Sequence, residues 1–284
     1  MTIGELYRKY LQELKAFLPS GEADQITNMV FEHVLGLSRS GLIKNPDTAL
    51  DAFKKEELLH KLSLLVSKAP VQYVLGECNF YQLTFEVNRS VLIPRPETEE
   101  LVERAIHFCR QNNKTTVLDI GTGSGCIPIS IQKNTTNCAI TTMDISSDAI
   151  ALAKKNALKH QAEIHFLQQD FLNENSWKHL PSFDLIISNP PYIPSSEKAS
   201  MDDNVVLYEP PTALFVSDID PLIFYRNIME FGKSHLNPSG NILVEIHEKK
   251  GMEVCQLFKE NGYEAILIKD MFGKDRMVEI SLCP

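Results

Sequence analysis

The 284-residue chain lacks several features that would direct it to a particular compartment or cofactor. No apolar run approaches the roughly 20 residues that a membrane-spanning helix needs. The N-terminal residues include Glu5 and Glu13 and no long apolar stretch, so we expect neither a secretory signal nor a basic transit peptide. The six cysteines are scattered without a Cys-x-x-Cys spacing, which is typical of free thiols in a reducing cytoplasm. The eight histidines show no metal-ligand spacing, and no metal site is expected.

Positive charge is also sparse. The net charge is −9, the pI is about 5.4, and basic residues cluster only in pairs such as Lys54-Lys55. A protein that binds duplex nucleic acid normally carries a basic face, because neutralising phosphates dominates its affinity. The charge therefore argues against a nucleic-acid partner and accommodates a basic protein partner more easily.

The hydrophobic content of 43% suffices for a packed core, and its pattern changes along the chain. Residues 1–76 show apolar positions at helical spacing, such as Ile3, Leu6, Tyr10 and Leu14, and are predicted to form a small helical domain. Residues 77–95 alternate like a β-hairpin linker, with Asn88-Arg89 as its expected turn.

Strands and helices alternate over residues 96–284, which predicts an α/β domain with a mostly parallel seven-stranded sheet. The strands centre near residues 118, 141, 166, 186, 244, 266 and 280. The connection between the fourth and fifth strands is long, and its residues 193–210 are expected to form a loop that covers the substrate.

A glycine-rich segment follows the first of these strands. Gly121-Thr122-Gly123-Ser124-Gly125 separates the apolar run Thr116 to Ile120 from a helix, which is the layout of nucleotide-cofactor sites. The second strand ends at Asp144, 19 positions after Gly125, close to the spacing of about 20 expected of a ribose-binding acid. Asp170 follows the third strand. These residues leave NAD and S-adenosylmethionine both open as cofactors.

The segment Asn189-Pro190-Pro191-Tyr192 ends the fourth strand, because two prolines forbid further ladder pairing. It presents an amide, a backbone carbonyl and an aromatic ring where ligands of open α/β sheets bind. Two acceptors and a ring suit a planar NH2 group. A hydride transferase has no need of such a set, whereas a methyltransferase acting on NH2 does, so the segment favours S-adenosylmethionine.

Together these motifs resemble the release-factor glutamine methyltransferases, the PrmC or HemK family of class I S-adenosylmethionine-dependent methyltransferases. The string Ile93-Pro94-Arg95-Pro96-Glu97-Thr98-Glu99 is the most discriminating, since adenine DNA methyltransferases share Asn-Pro-Pro-Tyr but are not expected to carry it. The resemblance covers nearly the whole chain and includes Tyr73 to Gly76, Phe80, Phe85, Val87, Tyr208-Glu209-Pro210, Ala213-Leu214, Asp270, Gly273, Asp275 and Arg276. It implies a Rossmann-like sheet that ends in a hairpin with an antiparallel edge strand.

The resemblance implies methyl transfer from S-adenosylmethionine, with S-adenosylhomocysteine as product, to the glutamine amide of a Gly-Gly-Gln motif in peptide chain release factors. It further implies a cytoplasmic enzyme, which we expect to be a monomer, and a helical domain that docks the protein substrate. The alternative reaction is methylation of a nucleobase exocyclic amine such as that of adenine. A non-catalytic cofactor-binding protein is a third reading, and the intact segment from Asn189 to Tyr192 argues against it.

Site residues follow from these motifs. Asn189, Pro190 and Tyr192 are expected to be catalytic, and the expected substrate contacts add Pro191, Arg95 and Glu97. The expected cofactor contacts are Asp119, Gly121, Thr122, Gly123, Ser124, Gly125, Asp144, Asp170, Phe171 and Asn189. The segment from Pro94 to Glu99 also suits a purely structural role, as a rigid strand exit followed by a helix start. Glu245 suits core hydrogen bonding as well as the site, and His247 has no assigned role.

Overall fold

A computed structural model describes residues 1–112 and 114–283 and divides the chain into two compact units. One unit comprises Met1–Glu77 with Asp202–Tyr208, and the other comprises Cys78–Met201 with the chain from Glu209 onward. The helices are α1 Ile3–Leu14, α2 Ser20–Leu35, α3 Arg39–Lys44, α4 Ala52–Val66, α5 Val71–Leu75, α6 Pro96–Gln111, α7 Cys126–Asn134, α8 Ser147–His160, α9 Asp203–Tyr208, α10 Pro211–Leu214, α11 Ile223–His235 and α12 Gly251–Lys259. The strands are β1 Glu77–Phe80, β2 Leu83–Glu86, β3 Thr115–Ile120, β4 Cys138–Asp144, β5 Ile164–Gln168, β6 Phe183–Ser188, β7 Ile193–Pro194, β8 Phe215–Val216, β9 Leu236–Glu245, β10 Tyr263–Lys269 and β11 Asp275–Leu282.

The first unit is helical, as the apolar spacing predicts. Helix α1 begins at a capping box, in which Thr2 accepts from the Glu5 amide and Glu5 accepts from the Thr2 amide. Its predicted stripe of Ile3, Leu6, Tyr10 and Leu14 is buried. Helix α2 ends at Gly36, whose φ of 66° is the left-handed conformation that favours glycine. No helix in the described parts of the chain is long and apolar enough to cross a bilayer.

The second unit contains a seven-stranded sheet in the order β10-β11-β9-β6-β3-β4-β5. Five neighbouring strands of this sheet, β9, β6, β3, β4 and β5, are parallel, which confirms the predicted α/β class. Alternate residues face opposite sides, so Leu118 and Ile186 join one buried cluster while Val117 and Leu185 join another. Each such side chain contributes about 1.5–3 kcal/mol by its burial.

Two expectations about the strands were wrong. The antiparallel strand β11 lies between β9 and β10, so the sheet edge is β10, which runs in the direction of β9. The hairpin β1-β2 turns at Tyr81-Gln82, where φ is 47° and 62°, and not at Asn88-Arg89. Contacts with α6 support this turn, because the Tyr81 amide donates to Glu99 at 2.9 Å and the Tyr81 hydroxyl donates to Glu103.

The long connection after β6, whose residues 193–210 are expected to form a loop, includes short helices and a short strand. It contains β7, a short 3-10 helix Ser195–Ser200, and the helices α9 and α10. Strands β7 and β8 pair with each other in parallel. The covering role of this connection remains a prediction.

Candidate active site

The sheet register brings the motif residues to one edge. Ile120 pairs with Met143 on one side and with Ser188 on the other, and Ser188 pairs with Val244. The next residues along the four strands are therefore Gly121, Asp144, Asn189 and Glu245. The chain order reverses between β3 and β6, and such switch points in open α/β sheets open a crevice for ligands.

A cavity of about 430 Å³ opens at this edge, a size typical of small-molecule sites. Eleven of the expected site residues line it: Arg95, Gly121, Thr122, Gly123, Ser124, Asp144, Asp170, Phe171, Asn189, Pro190 and Pro191. The other four, Glu97, Asp119, Gly125 and Tyr192, are described by the structure and are not part of the lining. Sequence reasoning missed Ile145, which is apolar yet 60% exposed in the turn after Asp144.

The glycine loop has the backbone that its sequence predicts. Gly121 and Gly123 have φ of 83° and 53°, and an added Cβ at either position would meet no described atom within 4 Å. Gly125 differs, because an added Cβ would lie 3.0 Å from Ile129 and 3.2 Å from Ala153. The first two glycines therefore leave open space on the cavity side, and Gly125 allows close helix packing.

A buried amide that sequence reasoning missed supports the loop from below. The Asn156 Nδ2 atom donates to the Ser124 carbonyl at 2.9 Å and to the Glu86 carbonyl at 2.9 Å. Its Oδ1 accepts from the Glu86 amide at 2.8 Å. This side chain therefore fastens the glycine loop to strand β2.

The two acids of the nucleotide motif occupy different environments. Asp144 accepts from the Gly123 amide at 3.0 Å and the Ser146 amide at 2.9 Å, and partial burial raises its pKa. Asp119 is fully buried beneath the loop and accepts from the Thr142 hydroxyl at 2.5 Å. Burial raises the pKa of Asp119 to about 7. Asp144 therefore lines the cavity, whereas Asp119 lies outside its lining and its buried Oδ1 atom has no hydrogen-bond partner among the described residues. The cofactor contacts expected of both acids stay predictions.

The far wall of the cavity combines apolar and polar groups. The Phe171 ring lies 5.4 Å from the Trp177 ring and is mostly buried, while Asp170 beside it is exposed. The Gln169 Oε1 atom is buried and has no hydrogen-bond partner among the described residues. An open glycine cradle, a carboxylate at the ribose position and an unpartnered buried amide oxygen fit a nucleoside-containing cofactor.

A hydrogen-bonded network surrounds the Asn189 segment. The Asn189 Nδ2 atom donates to the Thr98 hydroxyl at 3.1 Å, and that hydroxyl donates to Glu245 Oε2 at 2.7 Å. The Tyr192 hydroxyl donates to Glu245 Oε1 at 3.2 Å. Glu245 is 1% exposed, and burial raises its pKa. Its carboxylate therefore joins the first turn of α6 to the segment after β6.

Arg95 reaches the cavity from a buried ion pair. Its Nη2 atom lies 2.6 Å from Glu209 Oε1, and the other Glu209 oxygen accepts from the Ile93 amide at 3.1 Å. The Glu209 side chain is only 1% exposed, against 33% for Arg95. This pair fixes the segment before α6 to the short link between α9 and α10. His247, which sequence reasoning left without a role, lies 3.3 Å from Glu197 and packs edge-on against Tyr192.

Comparisons with known proteins find relatives that match nearly the whole chain. A family model described as a methyltransferase small domain matches residues 106–207, and one described as a PrmC N-terminal domain matches residues 5–76. A release factor glutamine methyltransferase of Flavobacterium psychrophilum is 38% identical and covers 99% of both chains. Another from Streptococcus pneumoniae is 35% identical and covers 99% of this chain and 98% of its own. A solved methyltransferase structure from Pyrococcus furiosus, 18% identical with a TM-score of 0.50, covers 82% of this chain and 98% of its own and supports the fold alone.

Proposed function

This chain belongs to the release factor glutamine methyltransferases, and we propose that it methylates the glutamine side-chain amide in the Gly-Gly-Gln motif of a peptide chain release factor. One observation carries the proposal. Asn189 lines the cavity at the switch point. Its Nδ2 atom donates a hydrogen bond to the Thr98 hydroxyl, and its Oδ1 atom has no hydrogen-bond partner among the described residues. A free amide oxygen there is suited to accept an N–H of a substrate amide.

The cofactor of the proposed reaction is S-adenosylmethionine, which supplies an electrophilic methyl group when bound. The backbone of Gly121 to Ser124 would hold its methionine portion, and Asp144 would accept its ribose hydroxyls. Ile145 and Phe171 offer apolar surface at the position for adenine. Asp119, whose buried Oδ1 atom has no hydrogen-bond partner among the described residues, would meet the ammonium of the methionine portion.

The protein's own residues would contribute to methyl transfer by positioning the substrate amide. A glutamine amide is a poor nucleophile because its nitrogen lone pair is delocalised into the carbonyl. Asn189 Oδ1 and the Pro190 carbonyl would each accept one N–H, which aims the nitrogen and favours a localised lone pair. No strong base is required, because the N–H becomes acidic once the nitrogen is alkylated.

The proposal also covers the cellular compartment, the oligomeric state and the partner of the enzyme. Release factors act in translation termination, so we place the protein in the cytoplasm, where its six unpaired cysteines are expected to stay reduced. We expect it to act as a monomer on a protein partner, with the helical unit contributing to docking and no nucleic acid required.

Mass spectrometry of a full-length release factor tests the proposal. We expect one added methyl on the glutamine of Gly-Gly-Gln with wild-type protein and S-adenosylmethionine, and none with Asn189→Ala. Asn261→Ala is the matched control, since its Nδ2 donates to the Leu257 carbonyl at the end of α12. Calorimetry should show that Asn189→Ala retains cofactor binding.

DNA incubated in parallel separates the alternatives. Methylated adenine with an unmodified release factor would replace the proposed substrate by a nucleobase amine. If neither substrate gains a methyl, the proposal fails. If Asn189→Ala loses cofactor binding together with turnover, the assigned role of this amide is wrong.

A further inference from the structure

The amide of Asn189 has two ends of nearly equal shape, so its orientation must be set by hydrogen-bond partners. Its one recorded side-chain partner is the Thr98 hydroxyl, at 3.1 Å from Nδ2. A hydroxyl can donate to an amide oxygen as readily as it can accept from an amide nitrogen. Thr98 alone therefore does not decide which end of the amide faces the cavity.

Glu245 fixes the direction in which the Thr98 hydroxyl donates its hydrogen bond. An ionised carboxylate only accepts hydrogen bonds, so the single Thr98 hydroxyl hydrogen is committed to Glu245 Oε2 at 2.7 Å. The Thr98 oxygen then offers only lone pairs, and the Asn189 amide must turn its NH2 group toward it. The other carboxylate oxygen is held by the Tyr192 hydroxyl at 3.2 Å, which keeps the plane of the carboxylate in place.

We propose that Glu245 is a positioning residue for methyl transfer, which acts through Thr98 to hold the Asn189 amide with Oδ1 toward the substrate. The inference rests on the proposed function, because it assigns the substrate amide as the donor to Oδ1. Glu245 is 1% exposed, and the two hydroxyl donors Thr98 and Tyr192 offset part of the cost of burying its charge.

The kinetic test uses Glu245→Gln, Thr98→Val and Thr98→Ser. The glutamine side chain in the first variant can donate as well as accept, and the valine in the second offers no lone pair, so each change removes the constraint on Asn189. We expect kcat to fall about 10- to 100-fold, the equivalent of one charge-assisted hydrogen bond, with the KM for S-adenosylmethionine nearly unchanged. Thr98→Ser keeps the hydroxyl and should restore most of the kcat lost in Thr98→Val. Thr115→Val is the control, because it removes a buried hydroxyl at the opposite end of strand β3.

The dependence on pH distinguishes positioning from packing. Protonated Glu245 could donate to Thr98 and free the hydroxyl hydrogen for Asn189, so kcat should fall as pH drops through a pKa above the ordinary glutamate value. The titratable or charged groups that influence Glu245 are Tyr192, Tyr225, Arg276 and Glu97. The acid limb should be absent from the residual activity of Glu245→Gln.

A second readout needs no turnover. The Asn189 side-chain NH2 signals in a nitrogen–proton NMR spectrum can be assigned by their loss in Asn189→Asp. In wild-type protein without substrate, we expect these signals to shift with the same acidic midpoint, and the shift should vanish in Glu245→Gln.

Unshifted Asn189 signals, or a wild-type kcat and pH profile in Glu245→Gln, would overturn the positioning role. A loss of cofactor affinity with unchanged kcat would overturn it as well. If wild-type protein fails to methylate the release factor, the proposed function fails by itself, and the NMR titration still decides whether Glu245 orients Asn189.

Discussion

Replacing Arg95 by alanine should destabilise the sheet-containing unit far more than the loss of a surface ion pair would. The Glu209 side chain is 1% exposed with Arg95 in place, and Arg95→Ala leaves its carboxylate with the Ile93 amide as its remaining recorded donor. Removing one partner of a buried pair costs about 3–5 kcal/mol, because the other charge stays buried. Arg95 itself is 33% exposed, so the lower end, about 3 kcal/mol, is expected. For a unit of this size, that corresponds to a fall in Tm of about 6–12 °C.

The single tryptophan makes the assay specific to this unit. Trp177 is 7% exposed and belongs to one of the two core clusters of the sheet-containing unit. The fluorescence of Trp177 during urea unfolding therefore reports the unfolding of that unit. Arg226→Ala is the matched control, because Arg226 lies at the same 2.6 Å from Asp220 but is 50% exposed. That change should cost no more than about 1 kcal/mol.

A double variant isolates the buried charge as the cause. The glutamine introduced by Glu209→Gln can still accept from the Ile93 amide but carries no charge, so adding this change to Arg95→Ala should recover about 2 kcal/mol. A cost of under about 1 kcal/mol for Arg95→Ala, or no recovery in the double variant, would refute the reasoning that the pair acts as a buried one.

Three further changes test other parts of the structure. Asp119→Asn should gain stability relative to wild type as pH rises from about 4 to 8. The pKa of Asp119 is raised to about 7 in the folded protein, so the stabilisation that comes from its bound proton is lost through that pH window, whereas asparagine does not titrate. Urea midpoints at several pH values measure the difference, and a difference that stays constant with pH would contradict the prediction. Gln82→Gly should stabilise the hairpin by about 0.5–1 kcal/mol in the same fluorescence assay, because φ is 62° there, and a loss would show that the side chain matters more than the turn. Gly123→Ala should weaken S-adenosylmethionine binding in calorimetry, because its Cβ would occupy the open space beside the cavity. Both glycines have positive φ, so both variants should lose stability, but Gly125→Ala should lower Tm more because its Cβ would also meet Ile129 and Ala153. Equal effects of the two variants on binding and on Tm would contradict the assigned roles.

The positions of the strands and the edge at which the site lies could be predicted from the sequence, because they depend on local properties. Apolar runs ended by Gly121, Asp144 and Asn189 mark parallel strands, and parallel strands place their carboxyl ends at one edge. The Gly121 and Asn189 motifs therefore had to meet. The resemblance to a family added the reaction, which periodicity and spacing by themselves left open.

The hairpin turn and the place of β11 depended on tertiary contacts. Tyr81-Gln82 is a poor turn sequence by local preference, yet Glu99 and Glu103 on α6 hold Tyr81 in a positive-φ conformation. Strand β11 pairs with both β9 and β10, and its antiparallel direction lets the short link after β10 insert it inside the sheet.

The sequence by itself determined which residues could carry the chemistry, because the strand ends, glycines and prolines that present them are properties of short segments. Only the tertiary structure decided how those residues are held. Thr98 lies in α6, Asn189 directly after β6 and Glu245 at the end of β9, and their hydrogen bonds exist only once α6 packs beside the ends of these two strands. Asp119 and Asp144 likewise look alike in sequence, and only the folded structure separates their environments, because Asp144 lines the cavity whereas Asp119 is fully buried outside its lining.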